Sequence, residues 1–140
     1  MRQLAAVFFY AYVITLVAAG VWGTFFATVD HRMLLQLDVA ALPRLTAASV
    51  LSQYRFLRAI EFGFGAFALI FRKEIYSLRS FNQLFLSTML FGGIARLISL
   101  PIDGQPLWFF YIFLGVEMVG VVVIFIHTRS TLAATNGSPR

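Results

Sequence analysis

Four ionisable residues stand inside long apolar runs of the sequence, where charged side chains are rare. They are Arg58, Glu61, Arg96 and Glu117. A charge at the centre of a bilayer costs about 2.5–3.5 kcal/mol on insertion scales, and such residues usually face other protein groups or water. Two guanidiniums and two carboxylates carry no formal net charge together, so the four could neutralise one another in a low-dielectric interior. We therefore expect them to form one intramembrane polar cluster.

Helix geometry predicts matching depths for these side chains. At about 1.5 Å per residue, Glu61 and Glu117 lie about 13–15 Å from the predicted cytoplasmic ends, and the two arginines lie about 20–22 Å from them. Arg58 and Glu61, spaced i and i+3, also share one helix face. Two uses of the cluster stay open. One is a structural clamp of Arg–carboxylate pairs, and the other is a polar site for a proton, an anion, or a lipid or quinone headgroup. Acid–base catalysis by the two glutamates is rejected, because the arginines would hold both carboxylates ionised.

The composition indicates which elements position these residues. Of the 140 residues, 60% are hydrophobic and 12% are charged. Soluble domains have about 45–50% apolar residues and about 25% charged residues. Since a helical span needs about 20 residues, the chain is predicted to be an all-α polytopic membrane protein, a four-transmembrane-helix bundle. The predicted domain is 1–126, with spans at about 4–29, 55–71, 81–100 and 107–126, and a polar cytoplasmic tail at 127–140.

The first apolar run and the segment after it allow more than one interpretation. A signal peptide ending near Gly20 competes with a retained helix, but the run stays apolar well beyond that residue. The following segment mixes charges with recurring leucines, and Pro43 prevents one continuous helix. We expect a short interfacial helix between the first and second spans, and then a new helix after Pro43, capped by Thr46 or Ser49.

Small residues at helical spacing predict where the spans approach one another closely. In lipid, helices associate through close backbone contact, so such residues mark contact faces within the chain or toward an oligomer. The positions selected for helix packing are Gly63, Gly65, Gly92 and Gly93. A separate pair, Gly104 and Pro106, belongs to the segment 101–106 and predicts a tight turn between the third and fourth spans.

The distribution of cations predicts the orientation of the spans. With four spans, the N-terminus, the central link and the tail share one side, which then holds six arginines and lysines against three on the other side. This excess predicts a multi-pass inner-membrane protein with both termini in the cytoplasm. Contact with anionic lipid headgroups accounts for the net charge of +5. Nucleic-acid binding is not expected, because the sequence lacks a basic patch interleaved with aromatic residues.

The residue types exclude several classes of site. The absence of cysteine excludes disulfides, iron–sulfur clusters and thiolate zinc sites. The predicted topology separates His31 from His127 by the membrane, so we expect no metal site. The sequence has no phosphate-binding glycine loop and no nucleophile elbow, so we expect no cofactor and no catalytic residue. An enzyme acting on lipid is a third hypothesis, but it would need a nucleophile or base, and the carboxylates are expected to be paired.

Several motifs lie between about residue 50 and residue 126. They are Arg55-Phe56-Leu57, Gly63-x-Gly65, Phe91-Gly92-Gly93-Ile94-Ala95-Arg96-Leu97-Ile98-Ser99, Gly104-x-Pro106, and Glu117 in the last span. Together they resemble the bacterial membrane family known as domain of unknown function 4345. The resemblance implies a four-helix integral membrane protein with no assigned activity. It favours Arg96 and Glu117 as the shared pair, since Arg58 and Glu61 stand where the family more often has small or apolar residues.

These observations predict a small integral inner-membrane protein with a charge-paired bundle interior and an accessory or interaction role. The alternative is a protein that binds or conducts a proton, a quinone or a lipid headgroup at the Arg/Glu cluster. The expected partners are the lipid bilayer and either another membrane protein or a second copy of the chain.

Overall fold

All secondary structure in the described part of the chain is helical. This computed structural model describes the backbone of residues 1–136 and the side chains of residues 1–129 and Leu132. The helices in chain order are α1 (Arg2–Phe25), α2 (Ala27–Leu34), α3 (Arg44–Ile70), α4 (Arg72–Ser77), α5 (Arg79–Asp103) and α6 (Trp108–Asn136). A 3₁₀ turn, Val39–Ala41, lies between α2 and α3.

Three helices are long and apolar enough to cross a membrane: α1, α5, and the part of α6 from Trp108 to Arg129. Between 22% and 28% of each apolar window is buried inside the chain, so most of each helix surface needs another apolar medium. These helices indicate a membrane protein. The 27-residue α3 is long enough as well, but it is more polar and is not among these candidates. Its charged residues are Arg44, Arg55, Arg58 and Glu61.

The chain divides into two compact units, and the first consists of Met1–Tyr12 and Ala68–Arg140. An aromatic contact lies in its core, where the Phe9 and Phe85 ring centroids are 5.1 Å apart and both rings are almost fully buried. The buried Asn82 donates its Nδ2 hydrogen to the Ile75 carbonyl at 2.9 Å. The Thr128 hydroxyl donates to Asn82 Oδ1 at 3.3 Å. These bonds connect α4, α5 and α6 through polar groups that would otherwise be unsatisfied.

The second unit is Val13–Phe67, and a close approach between α1 and α3 organises it. A Cβ at Gly20 would come within 2.6 Å of the Phe62 backbone nitrogen and 2.7 Å of the Arg58 carbonyl oxygen. Only glycine allows the two backbones to lie this close. The chain bends at Phe26, and this bend directs Asp30 and His31 of α2 into the protein, where each is 2% exposed.

Helix ends in the second unit differ from the predicted ones. The first apolar run was expected to be helical to residue 29, but α1 ends at Phe25 and a separate α2 follows. Helix α3 begins directly after Pro43, whose fixed φ suits a position just before a first helical turn. The capping prediction for Thr46 and Ser49 is wrong, because both lie inside α3, and the Ser49 hydroxyl donates to the Leu45 carbonyl at 2.9 Å.

The hairpin between α5 and α6 is shorter than predicted. Pro101 was expected in the turn, but it lies in the last turn of α5, which continues to Asp103. A proline there removes only one backbone hydrogen bond, and the Ser99 hydroxyl supports the helix end by donating to Asp103 Oδ2 at 2.7 Å. Gly104 has φ +95°, a backbone conformation that glycine adopts without strain. The turn is therefore made by the four residues 104–107.

Helix α6 continues beyond the predicted end of the fourth span. The segment 127–140 was expected to be a polar tail after the last helix, but α6 remains helical to Asn136. The last four residues of that segment lie outside the described residues.

Candidate functional site

Arg96 and Glu117 form an ion pair between α5 and α6 in the first unit. The Arg96 Nε lies 3.0 Å from Glu117 Oε2 and 3.3 Å from Oε1. Glu117 is 6% exposed, whereas a third of the Arg96 side chain is accessible. The guanidinium also lies 5.7 Å from the ring centroids of Phe110 and Phe113, close enough for cation–π attraction. The charge of the buried Glu117 carboxylate is therefore neutralised by Arg96, whose guanidinium also contacts two aromatic rings.

Arg58 is the centre of a second polar group, which lies in the second unit. Its Nη1 donates to Glu61 Oε2 at 2.7 Å, one turn along α3. Its Nη2 donates to the Tyr54 hydroxyl at 2.6 Å and lies 3.5 Å from Asp30 Oδ2. The Tyr54 hydroxyl in turn donates to the same Asp30 oxygen at 2.5 Å. The Arg58 side chain packs directly against Gly23, where a Cβ would collide with it.

His31 completes this second polar group from α2. Its ring centroid lies 4.1 Å from that of Tyr54, and its Nδ1 lies 2.8 Å from the Ala27 carbonyl oxygen. Because a carbonyl oxygen only accepts hydrogen bonds, Nδ1 carries the proton in this arrangement. We define the polar network as Asp30, His31, Tyr54, Arg58 and Glu61.

The structure arranges the four predicted intramembrane charges as two ion pairs. Arg58 contacts Glu61 within the second unit, and Arg96 contacts Glu117 within the first. Asp30 belongs to the charged segment after the first predicted span, and the sequence predicted no partner for it. The missed signal was Tyr54, which stands four residues before Arg58 and can therefore share its helix face.

The glycines selected for packing have different surroundings. A Cβ at Gly65 would come within 2.7 Å of a Val17 methyl group, and one at Gly93 within 2.7 Å of the Met118 sulfur, so both stand at tight helix contacts. A Cβ at Gly92 would lie 3.8 Å from a Glu117 carboxylate oxygen, an ordinary van der Waals distance. Gly63 is exposed, and a Cβ there would meet nothing within 4 Å among the described residues. Its predicted packing is therefore not found within the described chain.

Tyr76 of α4 marks a further polar position in the first unit, outside the candidate spanning helices. Its hydroxyl donates to the Ala5 carbonyl at 3.3 Å. Burial, with a smaller contribution from Tyr10, raises the pKa of Tyr76 to about 12. The hydroxyl therefore stays protonated and acts as a hydrogen-bond donor at neutral pH.

The arrangement of these groups favours structural and electrostatic roles. Within the residues that the structure describes, no three His, Asp or Glu side chains are grouped so that they could hold a metal ion. Each of the four predicted charges has an ion-pair partner. A carboxylate paired with a guanidinium is already engaged in charge-assisted hydrogen bonds, which suits a structural clamp.

The family model of a domain of unknown function, DUF4345, matches residues 4–127. This match confirms the resemblance that the motifs between residues 50 and 126 indicated, and it extends the similarity to the first helix. No curated protein matches the chain, and no solved structure does. Because the match covers most of its length, the chain belongs to the DUF4345 family, whose function is unknown.

Proposed function

We propose that this protein is an integral inner-membrane protein with four spanning helices and an accessory or interaction role. The observation that carries the proposal is the ion pair between Arg96 and the 6% exposed Glu117 on two apolar helices. Removing one partner of a buried pair costs about 3–5 kcal/mol, because the other charge is left uncompensated. Such a pair holds two helices in register, and a rigid set of helices is what a protein that supports another membrane protein needs.

Helix α3 is proposed as the fourth spanning helix. Its 27 residues extend about 40 Å, more than the roughly 30 Å of a hydrocarbon core. Two of its charges, Arg58 and Glu61, neutralise each other at 2.7 Å, which reduces their cost in lipid. Large apolar side chains also project from α3 into open space. They are Phe56, Leu57, Ile60, Phe62 and Ile70, between 43% and 72% exposed. In this arrangement α2 and the 3₁₀ turn lie at the membrane interface.

Cysteine labelling tests the number of spans and their orientation. We expect Ala40→Cys and Gln105→Cys to react with a membrane-impermeant thiol reagent in spheroplasts, and Ser77→Cys to react only after permeabilisation. The chain has no native cysteine, so each variant reports one position, and all three positions are exposed. If α3 does not cross, Ala40 and Ser77 share one side, and the labelling of Ser77→Cys and Gln105→Cys is exchanged. That result would overturn the four-span arrangement.

A specific observation favours a second function, in which the charges bind or conduct a proton. In the polar network, Asp30 and Glu61 share the single guanidinium of Arg58, which leaves one formal negative charge to be compensated. A transported proton could supply that compensation. The accessory role is preferred because the existing bonds already hold both carboxylates.

The substitutions Glu117→Gln and Glu61→Gln together distinguish the two functions. For the accessory role we expect a clear loss of protein abundance in the membrane, because the amide cannot neutralise Arg96. A partner that co-purifies with the native protein in mild detergent should be lost from the variant. For proton conduction by the polar network, Glu61→Gln should leave abundance normal while proton flux into proteoliposomes falls. The matched control is Glu74→Gln on α4, a carboxylate without an ion pair in the described part of the chain, which we expect to change neither quantity.

A further inference from the structure

A cationic cleft lies in the first unit, and none of the ion-paired residues described above lines it. Its volume is about 350 Å³, and the side chains that line it include Arg2, Tyr10, Arg72, Lys73, Tyr76 and His127. The three cations come from α1 and α4. In the described part of the chain, none of these three cations forms an ion pair. The cleft therefore concentrates positive charge, and no carboxylate of the described residues is paired with it.

A second cleft of about 320 Å³ extends this positive region. Arg79 and Arg129 line it, and it shares Thr128 with the cationic cleft. Neither arginine forms an ion pair with the described residues. Among residues 68–82, which supply most of these cations, Glu74 is the one carboxylate. Opposite charge is therefore expected to come from a ligand, since a concave surface of one sign raises the local concentration of counter-ions.

The apolar character of α1 narrows the choice of ligand. Arg2 and Tyr10 belong to α1, a candidate spanning helix whose Leu4 and Val7 side chains are 45% and 63% exposed. Phe71 precedes Arg72 and is 38% exposed. A small soluble anion would gain nothing from these apolar neighbours. A molecule with an anionic head and hydrocarbon tails would contact both kinds of surface.

We propose that the cationic cleft binds the headgroup of an anionic phospholipid. Arg2, Arg72 and Lys73 hold the phosphate oxygens through charge-assisted hydrogen bonds, and the acyl chains lie along the apolar surface of α1. Basic pockets between spanning helices bind anionic lipid headgroups in the same way. The proposal goes beyond the accessory role, and because it is tested in micelles it requires neither the proposed orientation nor the fourth span.

The test measures binding of phosphatidylglycerol and phosphatidylcholine to the purified full chain in neutral detergent micelles by native mass spectrometry. We expect the native chain to retain phosphatidylglycerol in preference to phosphatidylcholine. Each cation near an anionic lipid contributes about fivefold in affinity, so the double variant Arg72→Gln/Lys73→Gln should bind phosphatidylglycerol about 25-fold more weakly. Both residues are exposed, so the fold should tolerate the change. The single variant Arg2→Gln, with an expected loss of about fivefold, provides an independent readout.

The control is Arg32→Gln/Arg44→Gln, which removes the same charge from exposed positions of the second unit. Its affinity for phosphatidylglycerol should stay close to native. Equal losses in the two double variants would mean diffuse attraction and would overturn the site, as would equal retention of the two lipids by the native chain. A competition arm uses soluble glycerol 3-phosphate. If this anion displaces phosphatidylglycerol at similar concentration, the ligand is a soluble phosphate ester and the assignment to lipid is wrong.

Discussion

Replacing Arg96 with glutamate is expected to abolish accumulation of the folded protein, and adding Glu117→Arg is expected to restore part of it. The single change places two carboxylates about 3 Å apart where a 3.0 Å ion pair stands now. Because Glu117 is 6% exposed, water screens the repulsion only weakly, and the loss should reach about 3–5 kcal/mol. The restoration is partial because the longer arginine must fit where a buried glutamate was. The measurement is the yield of monodisperse protein in mild detergent.

A charge reversal at an exposed position controls for the added negative charge. Arg44→Glu, at the exposed start of α3, should leave the yield close to native. If the double variant Arg96→Glu/Glu117→Arg accumulates no better than the worse single variant, the two side chains do not stabilise the protein through their contact.

Replacing Arg58 with methionine is expected to cause the second large loss of stability. Methionine keeps much of the side-chain volume but leaves Asp30, 2% exposed, and Glu61 without their cation. It also removes the 2.6 Å hydrogen bond to the Tyr54 hydroxyl. The expected cost is about 3–5 kcal/mol, which corresponds to a fall in melting temperature on the order of 10 °C for a chain of this size. Thermal unfolding in detergent measures it.

Two comparisons identify the cause of that loss. Arg55 lies one turn earlier on α3, is exposed, and donates a single 3.3 Å hydrogen bond to the Thr24 carbonyl. We expect Arg55→Met to be nearly neutral. The triple variant Asp30→Asn/Arg58→Met/Glu61→Gln also neutralises the carboxylates and should recover most of the stability. Replacing all members of a buried charged group leaves no uncompensated charge and therefore costs little free energy. Equal melting temperatures for Arg55→Met and Arg58→Met would show that the polar network adds no stability.

The sequence by itself determined the helical class and the approximate position of each apolar helix. Hydropathy is a property of a single segment, so it identifies membrane-compatible runs without any knowledge of what they contact. The expectation that Arg96 and Glu117 would meet also came from the sequence. A short link makes α5 and α6 antiparallel neighbours, and helix rise then gives the height of each side chain. The same local logic located the turn at Gly104, where the positive φ favours glycine.

The tertiary structure alone decided which residues complete the polar network and which glycines pack. Asp30 meets Arg58 only because the chain bends at Phe26 and α2 returns toward α3, a geometry that no periodicity within one segment specifies. Gly63 and Gly65 are two residues apart, yet a Cβ would meet open space at the first and Val17 at the second. Neighbouring helical positions face different directions, and only the placement of the other helices determines which direction is occupied. The sequence therefore determines which residues each helix contains, whereas the contacts between helices depend on how the chain folds back on itself.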